Sequence, residues 1–410
     1  MNENTKLLLG LLRDYIEQVS SEGTIREHMN GVSGAIGWEH IFKLAQMNNV
    51  LPFVYNQIRN LTDEFGIDPR YIIYLKNIVI RNSSEQIRMH SRLNEIVDAF
   101  EREHIDYYIL KGIILADLYP NPEYRYSCDI DIHIHESQLD SAMETLKSMG
   151  YEQSEFTDSN YEYKFFLPDN LMVELHTQLF EAFYDKHINI IKNIHLDGKE
   201  KLTKYNVVGR EIPTLKQNEL FIYVLCHMVV HFISTGINIR YLMDICIYVN
   251  RYVNELDFVY IMQVMKQFDV TDFVMNIFQI CNKYLGMIEI PIKQNGFDNN
   301  IVKELLIDVI EGMLNHDPTI KQTENNYDKL VATMLYYKNK RSTLKNMFFP
   351  SIKVLAKDYK YLTKYKFLLP FAWVYRILSY PFRIRKNKNL LVNIKEGNER
   401  VRLLKKLDLL

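Results

Sequence analysis

The sequence has few cysteines, glycines and prolines. Its 410 residues include four cysteines, 15 glycines and 11 prolines. The cysteines form no CxxC pair, which argues against a zinc ribbon or a disulfide framework and indicates reduced thiols. They are Cys128, Cys226, Cys246 and Cys281. Because glycine and proline are scarce, the chain favours long helices over short strands and turns.

Long apolar runs are missing as well. The leucine-rich run at residues 7–12 is too short for the apolar core of a signal peptide. The longest apolar stretch near the C-terminus, residues 367–380, is interrupted by Pro370 and Arg376. A transmembrane helix needs about 20 apolar residues. We therefore expect a cytoplasmic protein, with contact to a membrane surface as the only membrane association.

The formal net charge of −2 conceals two poles of opposite sign. Residues 351–410 carry 15 basic against four acidic side chains, or +11, whereas residues 1–350 carry 34 against 47, or −13. A cationic cluster at 383–388 follows the aromatic stretch 367–382. This pattern fits peripheral contact with an anionic membrane or an acidic partner. It fits a solvated tail packed on the acidic remainder of the chain equally well.

The periodicity of apolar residues changes twice along the chain. Residues 1 to about 100 show helical spacing, and strand-like segments follow at 107–110 and 129–135. Two further strands, 161–167 and 171–176, are predicted to form a hairpin with its turn at 168–170. A helix opened by a capping box at Ser137 is expected to end at Gly150.

The helical pattern returns at Pro213, with an N-cap box at Thr214. The order predicts a helix-rich α+β fold, in which a small sheet domain is flanked by N- and C-terminal helical regions. The predicted parts are an N-terminal helical region (1–100), an α/β core (101–205), a C-terminal helical domain (206–350) and a basic aromatic helical tail (351–410).

The segment 129–135 alternates strictly between polar and apolar residues. As a strand it projects Asp129 and Asp131 from one face and buries Ile130 and Ile132, with Cys128, on the other. Two carboxylates a few ångström apart repel each other unless a cation lies between them. Such oxygen pairs suit Mg²⁺ or Mn²⁺, which bridge to substrate phosphates. The alternative is a solvated strand face, since isolated DxD triplets are common.

The surroundings of the aspartates favour the chemical interpretation. If the hairpin pairs beside the aspartate strand, Glu174 brings a third carboxylate to the same spot. Lys111 and Gly112 lie between a strand and a short helix, where a glycine lets the backbone approach a phosphate. Arg125 and Ser127 precede the aspartates and offer further donors to phosphate oxygens.

Taken in order, these motifs resemble the polymerase-β-like nucleotidyltransferase superfamily, and within it the bacterial branch described as uncharacterised nucleotidyltransferase. The resemblance covers most of residues 35–375. The motifs that carry it are Leu110-Lys111-Gly112, Leu118-Tyr119-Pro120, Arg125, Asp129-Ile130-Asp131, Val173-Glu174-Leu175-His176, the pair His227 and His231, and Arg240-Tyr241-Leu242-Met243-Asp244. No HExxH accompanies the histidine pair, so we expect it to contact substrate or support the structure and not to bind zinc.

The resemblance implies a mixed sheet and a metal-dependent transfer of a nucleoside monophosphate from an NTP to an acceptor hydroxyl, with release of pyrophosphate. Asp129 and Asp131 would bind two Mg²⁺ (or Mn²⁺) ions, and Glu174 would hold the catalytic ion and help to deprotonate the acceptor. The other expected site residues are Lys111, Gly112, Arg125 and Ser127 for the nucleotide, and His176, His227, Arg240 and Asp244 for substrate contact or structure. The acceptor is expected to be a small molecule, peptide or protein and not a nucleic acid, because the basic pole lies far along the chain from the aspartates.

One position departs from the pattern of the superfamily. Gly112 is followed by Ile113, where the superfamily has serine or glycine. Either Lys111, Arg125 or Ser127 replaces the missing phosphate contact, or the chain is an inactive member that acts through a partner or a membrane surface. A metal-dependent phosphohydrolase that uses the same carboxylates is the third alternative.

Overall fold

The computed structural model divides the chain into two compact units. One consists of Met1–Phe232 and Gly236–His316, and the other of Ile233–Thr235 and Asp317–Leu410. The four-part division expected from the sequence stays a prediction. The residues described are 1–18, 37–60, 66–154, 161–168, 171–179, 198–207, 209–234, 236–292, 298–311, 366–375 and 402–409.

Helices precede the sheet in the first unit, as the spacing of apolar residues predicts. Two of them begin with a side-chain cap: the Asn2 side chain accepts from the Thr5 amide at 2.7 Å, and Asp68 caps a helix that has Pro69 at its first position. The helix bounds are α1 Glu3–Ile16, α2 Trp38–Met47, α3 Leu51–Ile58 and α4 Pro69–Arg102.

Five strands form one mixed sheet in the order β1-β2-β5-β4-β3. The central pair β2–β5 is parallel, and the other three pairs are antiparallel. This confirms the mixed sheet in a helix-rich fold. The strand bounds are β1 Tyr107–Ile109, β2 Asp129–Ile134, β3 Glu152–Gln153, β4 Glu162–Phe166 and β5 Met172–His176. Helix α5 Lys111–Ala116 lies between β1 and β2, and α6 Leu139–Ser148 lies between β2 and β3.

One face of the sheet forms the core. Ile130, Ile132 and Ile134 of β2 are at most 1% exposed, and Val173 and Leu175 of β5 are fully buried. The alternation therefore works as predicted, because burying every second residue fixes which side chains face the other way.

Two local predictions in this region are wrong. Helix α6 begins at Leu139 with Gln138 as its N-cap and no side-chain cap bond, so Ser137 does not cap it. Cys128 is exposed, because β2 begins only at Asp129 and the alternation does not extend to the residue before it. The helix does end as predicted, with Gly150 at a φ of 90°, which a glycine adopts without strain. The turn expected at 168–170 lies partly outside the described residues.

A two-stranded hairpin follows the sheet where the sequence predicts the start of a helix. Strands β6 Leu202–Val207 and β7 Arg210–Leu215 pair antiparallel. The Thr214 hydroxyl donates to the Ile109 carbonyl of β1 at 2.7 Å and does not cap a helix. Pro213 is tolerated because each strand of a two-stranded ladder has a side without backbone partners.

The remaining helices of the first unit pack through apolar faces. Phe221 stacks on Tyr248, with ring centroids 5.1 Å apart, and joins the first two of these helices. The helices are α7 Gln217–Ser234, α8 Ile239–Tyr252, α9 Phe258–Gln267, α10 Thr271–Leu285 and α11 Asn299–Glu311. None of the helices in the described part of the chain combines the length and the apolar character that a membrane crossing requires.

Beyond residue 316, the second unit is described at residues 366–375 and 402–409. Ala372, Leu404 and Leu407 are buried, whereas Phe367 and Phe371 are 73% and 70% exposed. The cationic cluster at 383–388 lies outside the described residues. Contact of this end with a membrane or an acidic partner therefore stays a prediction.

Candidate active site

The acidic residues lie on the two central strands of the sheet. In the parallel register of β2 and β5, Asp131 lies opposite Glu174 and His133 lies opposite His176. Since paired residues of neighbouring strands share a face, these side chains all lie on the face opposite the isoleucine core. The hairpin therefore pairs beside the aspartate strand, and Glu174 places a third carboxylate on the same face as the aspartates.

Asp131 is the centre of the cluster, and its side chain is completely buried. Its Oδ1 accepts from Lys111 Nζ at 3.1 Å and lies 3.1 Å from His176 Nε2. The same histidine nitrogen lies 3.7 Å from Glu174 Oε2. Asp131 Oδ2 is buried and has no hydrogen-bond partner. One carboxylate oxygen is thus shared by two donors while the other is left without one.

Asp129 lies beside this cluster, toward the loop that precedes β2. Its Oδ1 accepts from Ser127 Oγ at 3.4 Å, and Gln86 holds the backbone of Ser127 with a reciprocal pair of hydrogen bonds at 2.9 and 3.1 Å. A Cβ added to Gly112 would lie 3.3 Å from Ser127 Oγ and 4.0 Å from Asp131 Oδ2. A side chain at position 112 would therefore occupy the space between these oxygens.

Burial and mutual repulsion act strongly on the carboxylates. Burial and the charge of Asp131 raise the pKa of Glu174 to about 7, and the same two causes raise the pKa of Asp129. Burial also acts to raise the pKa of Asp131, but the Lys111 ammonium and the hydrogen bond from His176 outweigh it and hold the pKa below its ordinary value. The site thus holds one firmly ionised carboxylate and two whose ionisation a cation would favour.

His227, the first histidine of the α7 pair, contacts both Lys111 and His231. His227 Nε2 lies 2.6 Å from Lys111 Nζ and 3.0 Å from His231 Nε2. Burial and the neighbouring ammonium lower the pKa of His227 well below its ordinary value, so the ring is neutral and accepts a hydrogen bond from Lys111. Lys111 consequently bridges α7 and the aspartate strand.

Arg125 lies in a buried ionic cluster behind the site. Its Nε and Nη2 donate to the two carboxylate oxygens of Asp244 at 2.7 and 2.8 Å, and its Nη1 donates to the Gly112 carbonyl at 2.9 Å. Tyr119 and Arg240 also donate to Asp244, at 2.7 and 3.2 Å. Because all three of its nitrogens are engaged in the interior, this geometry favours a positioning role for Arg125 over the predicted phosphate contact.

Lys164 is a site residue that the sequence analysis missed. Its Nζ lies 3.1 Å from Glu174 Oε1 and 2.8 Å from Glu162, and in the β4–β5 ladder it lies directly opposite Glu174. The predicted hairpin already contained this information, because a turn at 168–170 places positions 164 and 174 opposite each other on its two strands.

Comparisons with known proteins test the family resemblance that the sequence motifs show. A protein-family model described as "Uncharacterised nucleotidyltransferase" matches residues 34–286, more than half of the chain. A comparison with curated proteins yields no significant match.

Two solved structures are similar over part of the chain. The lincosamide antibiotic adenylyltransferase LnuA, solved with lincomycin bound, is 16% identical with a TM-score of 0.25, and the match covers 32% of this chain and 83% of that one. An antigenic nucleotidyltransferase-like protein from Paracoccidioides brasiliensis is 17% identical with a TM-score of 0.27, and the match covers 38% and 73% of the two chains. TM-scores this low assign neither a fold nor an activity to this chain.

Proposed function

This chain belongs to the uncharacterised nucleotidyltransferase family, and on that premise we propose that it transfers a nucleoside monophosphate from an NTP to a hydroxyl group, with a divalent cation as cofactor and pyrophosphate as the second product. The observation that carries the proposal is the convergence of Asp129, Asp131 and Glu174, from two adjacent parallel strands, beside Lys111. The bond that breaks joins the α-phosphorus to the oxygen bridging to the β-phosphorus, and the new bond joins that phosphorus to the acceptor oxygen.

The donor set suits a divalent cation such as Mg²⁺ or Mn²⁺. Ligand atoms of Asp131, Glu174 and His176 all lie within 4.8 Å of one another, and Asp131 Oδ2 is a buried acceptor without a partner. Asp129 stands beside this group with its carboxylate toward Ser127. Divalent cations, when bound, stabilise the attacking and leaving oxygens of an in-line displacement.

Glu174 is the residue suited to accept the proton of the acceptor hydroxyl. A general base works best when its pKa lies near the operating pH. Without a cation, burial and the charge of Asp131 raise the pKa of Glu174 to about 7. A bound cation would lower this pKa toward the ordinary carboxylate range, where Glu174 is ionised and able to accept a proton. Lys164 contacts one carboxylate oxygen, Oε1, and thereby fixes the orientation of the other.

Lys111 and Ser127 are the groups suited to the triphosphate. The Lys111 ammonium contacts Asp131 and has a second partner, His227, that keeps it in place. Ser127 Oγ lies next to Gly112 and so provides a hydroxyl where Ile113 does not. For the acceptor we retain the expectation of a small molecule, peptide or protein.

The position of the radioactive label tests the reaction. The purified protein is incubated with Mg²⁺ or Mn²⁺, a cell extract as the source of acceptor, and each NTP labelled either at the α- or at the γ-phosphate. We expect the α-label to move to an acceptor and the γ-label to appear in pyrophosphate. If label is released from the NTP but no acceptor becomes labelled, the protein is a phosphohydrolase. If calorimetry detects no binding of Mg²⁺–NTP, the protein is an inactive binding protein.

Replacing Lys111 by Met is expected to raise the KM for the NTP about 10- to 100-fold, because a hydrogen bond to a charged group contributes about 1.5–3 kcal/mol. Steady-state kinetics, with thermal unfolding measured in parallel, checks this. Lys147→Met removes an exposed lysine from α6 and serves as the matched control. An unchanged KM in Lys111→Met would contradict a phosphate contact by Lys111.

A further inference from the structure

His176 occupies a position that a metal ligand would take. It follows Glu174 by two residues on β5, so both side chains are on the same face, and it is only 8% exposed. Its Nε2 faces both carboxylates, at 3.1 Å from Asp131 Oδ1 and 3.7 Å from Glu174 Oε2. The DxD pattern and the third carboxylate do not by themselves assign any role to this ring.

We propose that His176 is a direct ligand of the cation, so that the site holds one ion with two carboxylates and one imidazole and prefers a first-row transition metal such as Mn²⁺ over Mg²⁺. Imidazole is a good ligand for transition metals, whereas Mg²⁺ takes oxygen ligands and retains its waters. The inference deepens the proposed function and rests on it, since the same carboxylates hold the ion.

The separations of the ligand atoms fit one ion. Two ligands that each lie about 2.1 Å from an ion, at right angles about it, are about 3 Å apart. The distances from His176 Nε2 to the two carboxylates are 3.1 and 3.7 Å. Only small side-chain movements are needed to place a cation between the three groups.

The surrounding contacts leave the three ligands available. Lys164 engages Glu174 through Oε1, which leaves Oε2 as the oxygen nearest His176. Lys111 contacts Asp131 Oδ1, but it also contacts His227 Nε2 at 2.6 Å and keeps that partner if Oδ1 turns to a cation. Asp131 Oδ2 is a buried oxygen without a hydrogen-bond partner, so this oxygen is also available to a cation.

The test is the electron spin-echo spectrum of Mn²⁺ bound to the full chain. We expect modulation from a directly coordinated ¹⁴N nucleus in the wild-type protein, and its replacement by a ¹⁵N pattern when the histidines are ¹⁵N-labelled. His176→Asn is expected to lose the modulation. His133→Asn is the matched control, because His133 lies directly opposite His176 in the ladder but outside the group of ligand atoms.

Metal affinities provide a second measurement. Loss of a residue that only supports a metal ligand costs about 10- to 100-fold in affinity, so loss of the direct ligand in His176→Asn is expected to raise the Kd for Mn²⁺ at least about tenfold. The Kd for Mg²⁺ is expected to change less, which reduces the preference for Mn²⁺. Circular dichroism and thermal unfolding establish that the variants are folded, and the wild-type spectrum alone decides the matter if they are not.

The outcomes separate this inference from the function on which it rests. Mn²⁺ bound without nitrogen coupling in the wild-type protein overturns the role of His176 and leaves nucleotidyl transfer intact. Nitrogen coupling that survives in His176→Asn but disappears in His133→Asn also overturns it. Failure to bind any divalent cation overturns both proposals, whereas nitrogen coupling without transfer of the α-label overturns the proposed function alone.

Discussion

Replacing Asp131 by Asn is expected to reduce nucleotidyl transfer by about 10³-fold or more, because a metal site stabilises charge in the transition state by several kcal/mol. Asparagine keeps the size of the side chain and removes its negative charge. Asp131 is the residue whose effect should be largest, since its Oδ1 already contacts two cationic or donor groups and its Oδ2 is the unpartnered oxygen of the site.

The measurement is the rate of α-label transfer at saturating NTP, together with calorimetric titration of Mg²⁺–NTP. Asp140→Asn, on the exposed surface of α6, is the matched control and should be as active as the wild type. Thermal unfolding excludes a loss of fold as the cause. If Asp131→Asn and the wild type transfer nucleotide at the same rate, the proposed reaction does not use this carboxylate cluster.

Breaking the buried pair between Arg125 and Asp244 is expected to lower the free energy of unfolding by about 3–5 kcal/mol, because the partner left behind is a buried, unpaired charge. Both side chains are at most 4% exposed, and two hydrogen bonds, one to each carboxylate oxygen, join them. Replacing Arg125 also removes its hydrogen bond to the Gly112 carbonyl, in the first turn of α5 beside Lys111.

Chemical denaturation of Arg125→Met, Asp244→Asn and the double variant measures this effect. We expect the double variant to lose about 1–3 kcal/mol less than the sum of the single losses, since each single change already removes the pair. The control pair is Arg210 with Asp98, which is also distant in sequence but more open to solvent, with side chains 24% and 61% exposed. Its loss should cost about 1 kcal/mol or less.

A phosphate-binding Arg125 would behave differently. Its replacement would raise the KM for the NTP and leave the stability close to that of the wild type. That result would restore the phosphate contact predicted for this residue from the sequence and would contradict the positioning role.

Local patterns in the sequence were sufficient to predict the central strands and their acidic side chains. A strand has a period of two, so the alternation at 129–134 determines both the buried isoleucines and the face that carries Asp131. The predicted hairpin then brings Glu174 to a neighbouring strand. Lys164 could have been found in the same way, because the register of a hairpin follows from its turn.

The other contacts of the site depend on packing between segments that are far apart in the chain. Lys111 meets His227 across 116 residues, and Arg125 meets Asp244 across 119. Helical spacing shows that His227 and His231 share a face, but it does not show what that face packs against. The β6–β7 hairpin was missed because Pro213 indicates a break, and only the tertiary bond from Thr214 shows that the strand continues.

The order of the strands links the integrity of the site to that of the whole sheet. Fraying begins at the edges of a sheet, here β1 with three residues and β3 with two, and it reaches the interior strands β2, β5 and β4 only after an edge strand has opened. The carboxylates lie on two of these interior strands, β2 and β5, and are therefore protected from fraying at the edges. On heating, their geometry should persist until the interior of the sheet opens.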